Sequence, residues 1–175
     1  MLKESIVRFD AKLTIAITGW PAWLRVPFIA VTFIGQPVSL IIFAAFTAYL
    51  TWDSPHVVWS LAAALGAMLI NTLLKHFVHR TRPDTLYVNH MYFKSSSFPS
   101  GHAFGGVVVF GLLAYIAAHY ITEPWGAVAA VLISLLIASI GLSRIYLGAH
   151  YPTDVIAGWA LGSLFLWVII STIQP

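Results

Sequence analysis

Three short polar clusters interrupt an otherwise apolar chain, and each carries side chains that can handle an anion or a proton. The first is Lys75-His76-Phe77-Val78-His79-Arg80-Thr81-Arg82-Pro83. Lys75 and Arg82 stand nearly two helical turns apart, so the spacing predicts that both project from one helical face with His79 close by, and Pro83 is expected to end that helix. Standing alone, the cluster is equally a snorkelling, positively charged helix terminus. The second cluster is Phe98-Pro99-Ser100-Gly101-His102. Ser100 suits an N-cap, and the N–H groups of Ser100, Gly101 and the first turn would point at an anion, with no Cβ at Gly101 to block its approach. A proline-glycine turn with an ordinary cap accounts for the same residues. The third cluster runs from Ser143 to Asp154 and contains Arg144, His150 and Pro152. Pro152 suits a first helical turn, which puts His150 just before a helix and Asp154 just inside it. Asp154 could then accept a hydrogen bond from one imidazole nitrogen of His150 and leave the other unprotonated. A simple acidic residue matching the helix dipole would explain Asp154, but not Arg144 and His150 beside it.

The elements that must position these groups follow from charge-free runs. Five occur: Val26 to Trp52, Ser54 to Leu74, Ala103 to Thr122, Pro124 to Ser143 and Val155 to Pro175. Each holds the ~20 apolar residues that cross a ~30 Å hydrocarbon core, and backbone groups in lipid must pair within their own segment, so each predicts a helix. In the first run Pro27, Gly35 and Pro37 leave the start of the span anywhere from Val26 to Val38. Before it, residues 1–22 read as an interfacial amphipathic helix rather than a signal peptide. Phe9, Leu13, Ile17 and Trp20 share one face, Glu4, Arg8 and Lys12 form a charged line, and Gly19-Trp20-Pro21 breaks the helix. A sixth span from Leu13 to Ile34 is the alternative. The expectation is an all-α integral membrane bundle of five transmembrane helices, six possible, plus the amino-terminal interfacial helix. Residues 1–175 form a single domain in this reading, with the bundle over 26–175.

Composition agrees with a chain that has the bilayer as its solvent. Residues are 59% hydrophobic and 9% charged, against about one quarter charged in soluble domains. The chain has no cysteine, which excludes disulfides, thiol nucleophiles and cysteine-ligated metals. A net charge of +3 from nine Lys and Arg against six Asp and Glu is too small and dispersed for nucleic-acid binding. With five spans, helix ends alternate sides, and all three clusters fall at one membrane face together with every Lys and Arg. By the positive-inside rule that face is cytoplasmic, with the periplasmic face as the alternative. Three cations, two imidazoles, one carboxylate and two helix N-termini at one face suit a phosphate dianion.

These residues resemble the type 2 phosphatidic acid phosphatase (lipid phosphate phosphatase) superfamily, whose soluble relatives include vanadium haloperoxidases. Lys75 to Pro83 matches K-x6-R-P, Pro99 to His102 matches P-S-G-H, and Ser143 to Asp154 matches S-R-x5-H-x3-D. The resemblance runs from roughly Ile34 to the carboxyl end, while many bacterial members carry six spanning helices. It implies a bacterial inner-membrane enzyme that needs no metal and no cofactor. It implies His150 as the nucleophile that forms a phosphohistidine, Asp154 as its orienter, and His102 as the acid and then the base. Lys75, Arg82, Arg144, Ser100 and Gly101 would bind the phosphate oxygens.

A site at the bilayer surface favours a phosphate whose tail stays in lipid: undecaprenyl diphosphate, phosphatidylglycerophosphate, phosphatidic acid or lipid A. The partners expected are that lipid and the bilayer, with no nucleic acid and no obligatory protein. Tyr87, Tyr92, Phe93 and Phe98 either line the headgroup entrance or belong to an interfacial belt. The i, i+3 pair His76 and His79 lacks the further ligand that a metal site needs. A serine protease built on Ser100 would leave Lys75, Arg82 and Arg144 without purpose, and a silent lipid-phosphate binder or carrier would not need His102, His150 and Asp154.

Overall fold

The computed structural model describes residues 2–50, 52, 56–90 and 95–173. Among them every regular element is helical: α1 (Leu2–Thr18), α2 (Arg25–Ile34), α3 (Pro37–Leu50), α4 (His56–Phe77), α5 (Leu86–Asn89), α6 (Gly101–Tyr120), α7 (Trp125–Tyr146) and α8 (Pro152–Ile173), with a 3-10 turn at Ala22–Leu24. Helices α3, α4, α6, α7 and α8 occupy the five apolar runs. By length and composition three of them, α6, α7 and α8, can cross a membrane unaided, whereas α3 and the 62–77 part of α4 are apolar but shorter.

Two points that the sequence left open in the amino-terminal third are resolved by the helix boundaries. The run from Val26 to Trp52 is not one helix. It breaks at Gly35-Gln36, and Pro37, whose missing N–H is no loss in a first turn, opens α3. The 14 residues of α3 rise about 21 Å. Nor is there a continuous helix from Leu13 to Ile34, because the axis bends by 93° between the segment ending at Thr18 and the one starting at Ala22. The break falls at the expected Gly19-Trp20-Pro21. Gly35 is needed at its corner for space: a Cβ there would lie 2.6 Å from Ile140 and 3.2 Å from the His102 ring.

Helix α1 carries its charged line outward, with Arg8 4.0 Å from Glu4. Its expected apolar face is only partly used. Ile17 packs on a cluster of Ala103, Ile145 and Val155, but Phe9 stays exposed. The residue α1 buries most deeply is Asp10, 2% exposed and seven positions before Ile17 on the same face.

Helix α6 is the central post. Ala103 to Phe110 are all buried in it, and its side chains enter two clusters, one with Ala63, Ala67 and Ile169 of α4 and α8, the other with Leu40, Ala44 and Ile140 of α3 and α7. Lipid tails are as apolar as leucine, so close approach rather than water exclusion holds such helices together. Gly158 and Gly162, one turn apart on α8, lie directly on α6. A Cβ at Gly158 would stand 2.8 Å from the Ser100 carbonyl oxygen, and one at Gly162 would stand 2.8 Å from that of Phe104. This contact seats the start of α8 beside the start of α6. We therefore expect Gly162→Leu to push α8 off α6 and cost about 1–3 kcal/mol, read as a lower midpoint of thermal unfolding in detergent. Leu135→Ala on the exposed face of α7 should change it by no more than about 0.5 kcal/mol.

Candidate active site

Helix α4 ends at Phe77, not at Pro83. The chain then leaves the helix, and residues 78–82 pair with 95–97: Ser97 N–H donates to Arg80 O at 2.9 Å, Arg80 N–H to Ser96 Oγ at 3.2 Å, and Ser97 Oγ to Thr81 O at 3.2 Å. The Ser96 hydroxyl also donates to Val78 O. These partners replace helical ones, and Pro83 keeps Arg82 extended. Lys75 and Arg82 therefore meet through this crossing rather than on a shared helical face. Lys75 Nζ donates to Ser96 O at 2.7 Å and Arg82 Nε to Ser95 O at 2.9 Å. His79 is exposed and lines a neighbouring cleft of about 440 Å³ with Asp84, Asn89 and Ser96, which shares Lys75, Arg82 and Ser95 with the site cavity.

Ser100 caps α6 as expected, its Oγ accepting from Ala103 N at 3.5 Å. Its own N–H, however, donates to Asp154 O at 3.0 Å and the residue is fully buried, so the Ser100 amide is not free for an anion. Gly101 does line the cavity, and a Cβ on it would lie 3.0 Å from Asn71 Oδ1. Asn71 was not expected. It sits one turn before Lys75, buried, with its Nδ2 lacking a partner. A lone amide at i−4 from a lysine in an apolar run is the signal that could have found it.

Helix α7 ends at Tyr146 and the chain reverses at Gly148, whose φ of +69° suits glycine. The N–H groups of Ala149 and His150 both return to Arg144 O, at 2.9 and 3.2 Å. This tight turn delivers the His150 ring to Arg82, whose Nη1 donates to His150 Nε2 at 3.2 Å. Arginine can only donate, so Nε2 is the unprotonated nitrogen and Nδ1 carries the proton. Nδ1 faces Asp154 Oδ2 at 3.6 Å, beyond hydrogen-bond length, so the expected bond is a charge contact instead. Asp154 is held by other groups: Arg80 Nη1 donates to its Oδ1 at 2.6 Å, and Tyr151 N–H to its Oδ2 at 3.0 Å. Arg144, 1% exposed, donates through Nη1 to Thr32 Oγ1 at 2.5 Å and to Tyr87 OH at 3.1 Å, with the Tyr87 ring 5.4 Å from its guanidinium carbon. Arg80, Thr32 and Asn71 were missed from sequence. Tyr92 and Phe93 lie outside the described residues.

Lys75, Arg82, Arg144, Gly101, His102 and His150 line one cavity of about 570 Å³, together with Asn71 and Tyr87. Most of its remaining wall is apolar, built by Leu40, Ala64, Ala67, Met68 and Val109, with Gln36, Thr72 and Ser95 as polar exceptions. Among the described residues no carboxylate pairs with Lys75, Arg82 or Arg144. Withdrawing a cation from water costs several kcal/mol unless an anion compensates, so three such groups around one space are set for a multiply charged anion. Burial pushes the His150 imidazole down to about 4 against the pull of Asp154, and the cations of Arg144 and Arg82 push the same way. At neutral pH it is uncharged, with a lone pair on Nε2.

The sequence model of the PAP2 superfamily matches residues 56–175. The chain is 30% identical over 155 residues to phosphatidylglycerophosphatase B of Bacillus subtilis, covering 84% of this chain and 74% of that one. It is 32% identical over 127 residues to a lipid A 1-phosphatase of Rhizobium etli, covering 67% of this chain but only 49% of the relative. In fold it superposes with a TM-score of 0.82 on the crystal structure of a transmembrane PAP2-type phosphatidylglycerolphosphate phosphatase from Bacillus subtilis, at 24% identity over 96% of this chain and 86% of that one.

The position of His150 gives a pH prediction with a definite sign. A folded-state value of about 4, below the ordinary 6.5, means the native protein binds fewer protons than the unfolded chain between those values. The His150 contribution to stability is therefore complete above 6.5 and is lost as pH falls toward 4. An NMR titration of labelled histidine should find one ring with a midpoint near 4, and Arg144→Gln should move that midpoint upward.

Proposed function

The chain belongs to the PAP2 superfamily, and from that premise we propose that it is an integral membrane phosphatase acting on a phosphate monoester or diphosphate carried by a lipid. One observation carries the reading: the cavity has three cations, unpaired with any carboxylate among the described residues, and two imidazoles on one wall, and a mostly apolar lining on the rest. A headgroup phosphate satisfies the first wall and an acyl or isoprenoid chain the second. Phosphatidylglycerophosphate, phosphatidic acid, lipid A and undecaprenyl diphosphate all have this form.

In the proposed reaction the phosphoryl oxygens take the donors of Lys75, Arg82 and Arg144 and the Gly101 N–H, releasing His150 Nε2 from Arg82. Nε2 attacks phosphorus, the bond to the leaving oxygen breaks, and His102 gives that oxygen its proton. Asp154 faces the imidazolium that results. His102 then takes a proton from water, which attacks phosphorus, breaks the P–N bond and releases inorganic phosphate. The cations and the amide stabilise charge on the equatorial oxygens, a role that a metal ion plays elsewhere. Ser100 serves here as the cap that aims Gly101 and His102. Residues 26–175 act as one catalytic domain with α1 packed against it.

We place the site at the cytoplasmic leaflet of a bacterial inner membrane on the charge bias at its end of the bundle. Asn89, exposed at the site end, and Glu123, exposed in the α6–α7 connection, make this testable. A cysteine at position 123 should react with a membrane-impermeant reagent in intact cells, and one at 89 only after permeabilisation. The reverse pattern would move the site to the periplasmic face.

Purified protein should release phosphate from one or more of these lipids, unaffected by EDTA. His150→Ala and His102→Ala should each lower kcat by at least about a thousandfold. Unchanged turnover in either variant would remove that residue from the mechanism, and a wild-type protein that binds these lipids without releasing phosphate would be a carrier.

A further inference from the structure

Asp10 is buried to 2% exposure in a helix whose other described charged side chains, Glu4, Arg8 and Lys12, are exposed. Nothing in the proposed reaction uses it, and it lies outside the residues 56–175 that the family model matches. Its two oxygens are fully occupied. Oδ1 accepts the Thr153 N–H at 2.9 Å, and Oδ2 accepts Thr153 Oγ1 at 2.7 Å and Arg80 Nη2 at 2.6 Å. The other nitrogen of the same fork, Arg80 Nη1, donates to Asp154 Oδ1 at 2.6 Å and to Thr153 Oγ1 at 2.8 Å. The guanidinium also lies 4.5 Å from the centre of the Tyr151 ring.

We infer that Asp10 is a positioning residue for the reaction: helix α1 reaches into the site and, through Arg80 and the first turn of α8, fixes the Asp154 carboxylate against His150. Two physical effects support this. The first is geometric. A planar guanidinium gripped at both ends by carboxylates cannot rotate, and the Thr153 N–H that Asp10 accepts is one of the orphan donors at the start of α8, the helix that carries Asp154. The second is electrostatic. One Arg80 cation shared between two carboxylates leaves the trio with a net negative charge, so Asp154 keeps a field for the imidazolium that forms on His150. Without the Asp10 charge, Arg80 would neutralise Asp154 alone, and that field would shrink.

The inference rests on the reading of His150 and Asp154 as the reacting pair, and kinetics of the full chain in detergent test it. Asp10→Asn keeps the shape and removes the charge. It should lower kcat about tenfold to about a hundredfold while KM stays within about twofold, since the substrate does not touch it. In an Arg80→Ala background the same substitution should cost clearly less, because the Arg80 route is already gone and only the contact with Thr153 is left. Added guanidinium should restore part of the Arg80→Ala rate, and less of it when Asp10 is also Asn. Full wild-type turnover in Asp10→Asn would overturn the proposal, and so would an equal fold-loss in both backgrounds, which marks general packing damage. An Asp10→Asn protein that does not fold would overturn it too, making Asp10 a residue of the fold alone. A wild-type chain with no phosphatase activity would instead defeat the functional reading on which this one stands.

Discussion

A desolvated cation without a counter-anion is unfavourable, and this bundle gathers the buried Arg144 and the half-buried Lys75 and Arg82 around one cavity while, among the described residues, placing its buried carboxylates elsewhere. The chain has six Asp and Glu. Among the described residues the buried ones are Asp10 and Asp154, and both are bound by Arg80. Lys75, Arg82 and Arg144 are thereby left to carbonyl oxygens, hydroxyls and an aromatic face, partners that hold them in place without cancelling their charge. Electrostatic preorganisation of this kind is effective because the donors need little rearrangement when the anion arrives beyond Arg82 letting go of His150. Burial first, and then the same cations, keep His150 neutral, so that Nε2 can attack once the anion draws Arg82 away.

Helix packing supplies the geometry. The contact of Gly158 and Gly162 with the α6 backbone sets the starts of α6 and α8 side by side, and the bond from Ser100 N–H to Asp154 O links them. The tight turn at Gly148 brings His150 back over the end of α7. The crossing of residues 78–82 with 95–97 then carries Arg82 to His150 and Arg80 to Asp154. Gly35 lets the corner between α2 and α3 press against the His102 ring. The apolar wall between α3, α4 and α6 extends the cavity away from this polar end, which suits a ligand with one charged and one greasy part.

Much of this was legible in the sequence, and the reasons are specific. Apolar runs report helices because lipid tolerates little else, and alternation of helix ends is enough to put Lys75, Gly101, His102, Arg144 and His150 at one end. The cap at Ser100 and the helix start at Pro152 were readable because local chemistry decides both. The end of α4 was not, because partners 16 residues away replace its helical bonds. Asp10 and Thr32 escaped notice because they meet Arg80 and Arg144 across 70 and 112 residues of chain. A charged residue in an amphipathic helix looks solvated until its partner is known. The orientation of Asp154 was read as a bond to His150, whereas the structure divides its oxygens between Arg80 and the Tyr151 amide.

The central claim is that an anion-gripping wall presents a phosphoryl group to an uncharged imidazole. Trapping the covalent adduct tests it most directly: rapid alkaline quench of the protein turning over a lipid labelled in its terminal phosphate, followed by peptide mapping. The account predicts a label that survives base, is lost in acid, and maps to the peptide containing His150. A label that is stable in acid and sits on Ser100, or phosphate release with no adduct at any quench time, would contradict it.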